Sequence, residues 1–236
     1  MKGILAIETA TEACSVAIWR DPELRQRHEI APRQHSQLLM GMLRELLPNG
    51  QLQAHGVEAI AYGCGPGSFT GLRIAASAVQ GLAYASELPA IPVSTLACQV
   101  QTALRQKLVR EGDVVLSSLD ARINEIYYAS YRIEDGAPVA LQSAQACAPA
   151  QVDLPANIQS LTAIGSGVDF LDACPQTVRN RINDSYPKLV PEAQDLIPLA
   201  LILANRGELQ AAREVHPVYV RDEINWKKLS EQGKQS

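Results

Sequence analysis

The sequence lacks a basic patch. Its 236 residues carry 21 Lys and Arg against 25 Asp and Glu, a net charge of -4. A chain that grips nucleic acid alone usually shows a basic stripe, and the cluster of Lys227, Lys228 and Lys234 reads as a solvated tail. Any contact with RNA is therefore expected through partners. Aromatic residues are scarce at 5%, while hydrophobic residues reach 47%, so the core must be aliphatic and built from many small contacts. C-x-x-C pairs are missing as well. Cys14, Cys64, Cys98, Cys147 and Cys174 are odd in number and widely spaced, which excludes a disulfide framework and a zinc knuckle and fits a reducing cytosol. No two of His28, His35, His55 and His216 stand at the i, i+4 spacing that puts two imidazoles on one helical face for a metal. No apolar run is long enough to span a bilayer. The short run Ile4 to Ile7, ended by Glu8, reads as a strand and not as a signal peptide, so a cytoplasmic protein is expected.

What is present alternates between strands and helices. Ile4–Ile7 and Cys14–Trp19 predict a hairpin, and Leu24–Ile30 a polar third strand at an edge. A helix follows, with Ser36 as its expected cap. Leu38, Leu39, Met42, Leu43, Leu46 and Leu47 fall on one stripe of a 3.6-residue period, and Pro48-Asn49-Gly50 closes it. Ala59–Tyr62 predicts a buried strand, the segment from Thr70 to about Ser86 a helix capped by Thr70, Ala90–Val93 a strand and Thr95–Leu108 a helix. From Gly112 the order reads as a repeat: strand Val114–Leu119 ended by Asp120, strands Glu125–Ile133 and Val139–Ala146, strand Leu161–Ile164 running into Gly165-Ser166-Gly167, a helix starting at Val168–Asp172, and a helix holding Leu196–Ala204. That order predicts a duplicated α/β fold with a break near residues 110–112.

The most informative segment is Gly63-Cys64-Gly65-Pro66-Gly67-Ser68-Phe69-Thr70-Gly71-Leu72-Arg73, between a strand and a helix. Glycines there permit positive φ and a close approach to the backbone. The helix start that follows offers free N–H groups suited to an anion, and Ser68, Thr70 and Arg73 add donors. A tight turn without a ligand explains the same residues. The named phosphate and nucleophile motifs fail. Position six of G-x-G-x-x-G is Ser68, no Gly-Lys-Ser/Thr follows, and Ser68 has no G-x-S-x-G frame. The next helix is rich in small residues, with Ala78, Gly81 and Ala85 on one face. Small side chains let another helix come close. Packing inside the domain and a subunit interface both stay open. Asp120 with Glu125 offers acid–base chemistry, and Asp120-Ala121-Arg122 equally offers an internal ion pair.

Several blocks resemble one family, TsaB (YeaZ). They are Ile4 to Val16, His35-Ser36-Gln37 before the leucine-rich helix, Gly65 to Ile74, Val93 to Leu96, Asp120-Ala121-Arg122 with Glu125-Ile126-Tyr127, Pro217 to Arg221 and Trp226 to Leu229. The resemblance implies an actin-like (ASKHA) fold of two ribonuclease-H-like subdomains: 1–110, carrying the partner interface, and 111–236, with its last segment packing back on the first. It implies a non-catalytic subunit of the complex that forms N6-threonylcarbamoyladenosine (t6A) at position 37 of tRNAs reading codons that start with A. The homologue TsaD would be the direct catalytic partner, the ATPase TsaE would join the complex, a homodimer would form through a similar surface, and tRNA would be met only through the complex. Partner contacts would come from Leu38, Leu39, Met42, Leu43, Leu46, Leu72, Ala75, Ala78, Val79, Gly81 and Leu82. The chain itself would need no cofactor and no metal. ATP or ADP at the interface with TsaD would meet Thr9, Gly65, Gly67, Ser68, Thr70, Gly71 and Arg73. Two positions depart from the family pattern: Glu8 where the family usually has Asp, and Cys64 where relatives often have Arg. The extra methylene of Glu8 moves a carboxylate that would orient magnesium, and both departures weaken a hydrolytic reading. The competing reading is an independent small-molecule kinase or ATPase of the same superclass. A weaker one is a serine hydrolase using Ser68.

Overall fold

The computed structural model describes residues 1–220. Arg221, the basic residues at 227, 228 and 234, and the Trp226–Leu229 block lie outside the described residues.

The first lobe is a five-stranded sheet: β1 (Gly3–Glu8), β2 (Ala13–Arg20), β3 (Glu23–Ile30), β4 (Ala59–Gly65) and β5 (Ala90–Ser94), in the order β3-β2-β1-β4-β5. β1 pairs antiparallel with β2 (Ile4↔Trp19, Glu8↔Ser15) and parallel with β4 (Ile4↔Ala59, Ile7↔Tyr62). Alternation along the strands sends large and small side chains to opposite faces. Leu5, Ile7, Val16, Ile18, Ile60 and Tyr62 face one core, with α1 (His35–Leu46) and α2 (Phe69–Ser86) packed on it. Ala6, Ala17, Ala59 and Ala61 make a floor of small residues on the other face. α5 (Ala193–Asn205) lies on that floor through Ala193, Leu196, Ile197, Leu199 and Ala200. A helix can approach a sheet this closely only where side chains are short. Because both faces are covered, β1 and β4 are buried throughout, which is why they read as unbroken apolar runs. β3 is the exposed, polar edge.

The second lobe repeats the pattern. β6 (Val114–Arg122), β7 (Glu125–Glu134), β8 (Ala137–Cys147), β9 (Leu161–Ile164) and β10 (Ile182–Tyr186) stand in the order β10-β9-β6-β7-β8, with the same senses as in the first sheet. Each sheet is ribonuclease-H-like, and together they form the duplicated actin-like fold. α3 (Thr95–Arg105) lies between the lobes: Cys98 joins the core under the first sheet, while Leu96, Val100 and Ala103 join the core on the second. The chain from 193 onward returns to the first lobe. α5 packs there, Gln210 bridges to Ala90, and Val218 N–H donates to Cys64 C=O at 2.7 Å.

The structure corrects several expectations. α1 starts at His35, with Gln34 before it making no side-chain cap, so Ser36 is inside the helix. Ser68, not Thr70, caps α2 by accepting from Gly71 N–H. α3 stops at Arg105. β6 continues past Asp120 to Arg122, so Asp120 does not end its strand as Glu8 ends β1. Residues 166–173 wind as tight 3₁₀ turns, so no long helix follows the second glycine segment. The short helix α4 (Gln176–Arg179) and the strand β10 carried no clear sequence signal.

A polar clamp joins α3 to α5. Arg105 reaches Asp195 twice, at 2.8 and 3.0 Å, and Glu192 at 2.8 Å, while Thr102 Oγ1 donates to Asp195 Oδ2 at 2.8 Å. Hydrogen bonding to Asp195 raises the pKa of Arg105, which keeps the guanidinium charged.

Candidate functional site

The glycine loop links β4 to α2, and its glycines are used by the chain itself. A Cβ on Gly63 would collide with the Glu8 carboxylate, one on Gly71 with Thr9 C=O, one on Gly67 would lie 2.5 Å from Ala10 C=O, and one on Gly65 would lie 2.6 Å from Val218 C=O. Gly65 also has φ +126°, a conformation that side chains disfavour. The turn after β1 is tied to the loop: Ser68 N–H donates to Ala10 C=O at 2.7 Å and Thr9 Oγ1 donates to Gly71 C=O at 2.8 Å. Thr9, Gly65, Gly67 and Gly71 were expected around a phosphate, and the structure spends them on internal packing. Ser68, Thr70 and Arg73 stay exposed. Ser68 is engaged as the helix cap. Arg73 lies over the Phe69 ring at 3.8 Å and donates from Nε to Tyr219 Oη at 3.2 Å, with the Phe69 and Tyr219 rings 5.6 Å apart.

Glu8 sits beneath this loop with no exposure at all. Its Oε1 accepts from Ala10 N–H at 2.6 Å, and its Oε2 has no hydrogen-bond partner among the described residues. Burial lifts its pKa from 4.5 to about 7, against the opposing pull of the Ala10 and Thr9 N–H groups and the nearby Thr95 hydroxyl. That hydroxyl also lacks a partner at bonding geometry.

A cleft of about 1580 Å³ separates the lobes. Ala10, His35 and Ser68 line it from the first lobe, Asp120 and Asp169 from the second, and Tyr219 from the returning chain. Asp120 does not face it as a free acid, because Arg122 binds it at 2.9 Å and its backbone N–H holds Asp120 Oδ1 at 2.7 Å. The structure thus forms the ion pair that Asp120-Ala121-Arg122 offered. Among the described residues no group of three or more His, Cys, Asp or Glu side chains gathers as a metal site. The described residues hold no helix long and apolar enough to cross a membrane. All five cysteines are unpaired, and burial raises their thiol pKa values.

The expected partner residues divide by burial. Leu39, Met42, Leu43, Leu46, Leu72, Ala75 and Val79 are core residues under α1 and α2. In the isolated chain they are buried and shape those helices from within. Leu38, Ala78 and Leu82 are half-buried against the same core, and Gly81 is open. The surface offers other groups. On α2, Arg73, Ser77, Gln80, Gly81 and Tyr84 are exposed and follow one another at helical spacing, with Tyr84 80% exposed. On α1, Met40 is 50% exposed beside the open Gly41. Among the described residues, nothing lies within 4 Å of where a Cβ on Gly41 or Gly81 would sit. The sequence reading did not single out Met40 or Tyr84, each a large side chain off the periodic stripe of its helix.

The family described as "TsaD: tRNA N6-adenosine threonylcarbamoyltransferase" matches residues 27–182. The "tRNA threonylcarbamoyladenosine biosynthesis protein TsaB" of Escherichia coli K12 is 35% identical, over 96% of this chain and 97% of that protein. The Haemophilus influenzae protein of the same name is 33% identical, over 96% of each. The solved structure "YeaZ from Pseudomonas aeruginosa" superposes with a TM-score of 0.84 at 36% identity, over 93% of this chain and 100% of that one. With identity at this level running the full length of both partners, and with the same fold, the chain belongs to the TsaB (YeaZ) family.

Proposed function

We propose that this chain works in tRNA threonylcarbamoyladenosine biosynthesis as a non-catalytic subunit that docks and supports a TsaD-type homologue, with a TsaE-type ATPase in the same assembly. The names of its full-length relatives support the process. The observation that carries the docking role is the outer face of α1 and α2. It combines exposed Met40 and Tyr84 with Gly41 and Gly81, which none of the described residues approaches. Open glycines beside large exposed side chains suit close approach of a second helical surface. The packed glycine loop favours this role over an independent kinase, because its cradle is filled by Thr9, Ala10 and Val218. In this reading a nucleotide shared with the partner meets only the rim formed by Ser68, Thr70 and Arg73. The chain acts in the cytoplasm and meets tRNA through the complex.

The test is reconstitution of t6A formation from the purified components, omitting each in turn, together with co-purification. Loss of modification when this chain is left out supports the proposal. Transfer of the threonylcarbamoyl group by this chain alone overturns it.

A further inference from the structure

α2 runs for 18 residues, and Arg73 is the one charged residue among them. It is the fifth residue of the helix, near the end where the macrodipole is positive, so the helix gains nothing from a cation there. Among the described residues no acid pairs with it, and its hydrogen bond leaves from Nε, to Tyr219 Oη at 3.2 Å. Its guanidinium lies 3.8 Å from the centre of the Phe69 ring, and the Tyr219 ring stands 5.6 Å from that of Phe69. Tyr219 is itself held by the returning segment, where Val218 N–H donates to Cys64 C=O at 2.7 Å and Tyr62 Oη donates to His216 C=O at 3.3 Å. An exposed arginine is thus kept in one orientation with both Nη groups unused. That leaves the planar fork that takes a carboxylate through two parallel hydrogen bonds.

The position of the fork decides what it meets. Ser68, Phe69, Thr70 and Tyr219 line the cleft between the lobes, and Arg73 does not. Phe69, Arg73, Ser77, Gln80 and Tyr84 are exposed and follow one another at steps of three or four residues, a single stripe along α2 beside the open Gly81. The cation therefore belongs to the outer face of the helix, where a protein surface would lie, and not to the cleft, where a small ligand would lie.

We infer that Arg73 is the electrostatic anchor of the docking face, and that it takes a carboxylate side chain on the surface of the TsaD-type partner. Tyr219 is a positioning residue that acts through Arg73. With no other charge on α2, an acid of the partner finds one mate on this helix, which fixes the register of docking. The inference rests on the docking role proposed above. It leaves the rim of the cleft to Ser68 and Thr70.

The test is the dissociation constant between the full chain and the purified TsaD-type partner, measured by calorimetry with and without ADP and over a range of salt. Arg73→Gln should weaken binding about 30-fold or more in both conditions. Its affinity should fall less steeply with salt than that of the wild type. Arg73→Lys should recover only part of the loss, because an ammonium lacks the fork. Tyr219→Phe, which keeps the ring and removes the acceptor, should weaken binding in the wild type and cost nothing further in Arg73→Gln. Unfolding midpoints near wild type separate lost docking from lost folding. Wild-type affinity in Arg73→Gln, while Gly81→Arg still abolishes binding, overturns the anchor and leaves the docking role standing. Wild-type affinity in both variants removes the docking role and the anchor with it. A loss in Arg73→Gln seen only with ADP present assigns the side chain to a shared phosphate and also overturns the anchor.

Discussion

Two glycines of α2 show how different the same residue type can be in one helix. Gly71 is pressed against Thr9 C=O, and a Cβ there collides with backbone that cannot yield cheaply. Gly81 faces open space. Gly71→Ala should therefore destabilise by about 1–3 kcal/mol through overpacking, while Gly81→Ala should stabilise by about 0.5–1 kcal/mol through helix propensity. Urea unfolding of both variants checks the opposite signs. Glu8 supplies a pH dependence of definite sign. Its pKa is about 7 in the fold against 4.5 as an ordinary carboxyl. The fold binds that proton more tightly than the unfolded chain does, so the stabilisation is complete below pH 4.5 and is lost as pH rises through about 7. Between pH 5 and 8 the wild type should lose up to about 3 kcal/mol more than Glu8→Gln. Parallel stability curves would contradict the assignment.

At the scale of elements, α2 and α3 answer for different things. α2 presents the surface, so Gly81→Arg should leave the circular dichroism and unfolding midpoint near wild type and abolish co-purification with the TsaD-type partner. Ala78 is a poorer probe, because it also packs on the core. α3 is tied to α5 through Arg105. Its removal leaves Asp195, whose side chain is only 3% exposed, without its cation. Breaking a buried pair from one side costs about 3–5 kcal/mol, and Arg105→Ala should fall near the lower figure because Arg105 itself is 37% exposed at the side chain. Denaturation midpoints check this. The elements also show what was legible in the sequence. β1, β2 and β4 were, because burial on both faces leaves unbroken apolar runs between turn residues. The proposed docking face was not. Apolar periodicity marks the stripe a helix turns inward, so Leu39, Met42, Leu43 and Leu46 announced a core, while Tyr84 and Met40 sat outside the pattern. In the same way the glycines of the loop announced a close approach without saying what approaches. Here it is the chain's own turn at Thr9 and Ala10 and its returning segment at Val218. Contacts between residues far apart in sequence have no local signature.

The whole molecule is a duplication whose halves have been made interdependent. The strand order repeats, and the repeat of element order from Gly112 made that visible. The long helix after the first glycine loop has no counterpart after the second, where residues 166–173 form tight turns. Only the first lobe therefore carries the two-helix face. The lobes share α3, and α5 covers the first sheet from the far end of the described chain. A fragment of residues 1–110 should accordingly fail to fold, and the full chain should unfold in one transition by both circular dichroism and tryptophan fluorescence. Two separated transitions would show independent lobes.

The alanine floor under α5 carries one more consequence, for the timing of synthesis. Ala6, Ala17, Ala59 and Ala61 leave the ribosome long before Leu196 and Ala200, which must cover them. Until residues 193–200 are made, the first sheet has one face bare. A chain truncated before residue 193 should therefore expose that floor and be cut faster than the full chain, which limited proteolysis of the two checks.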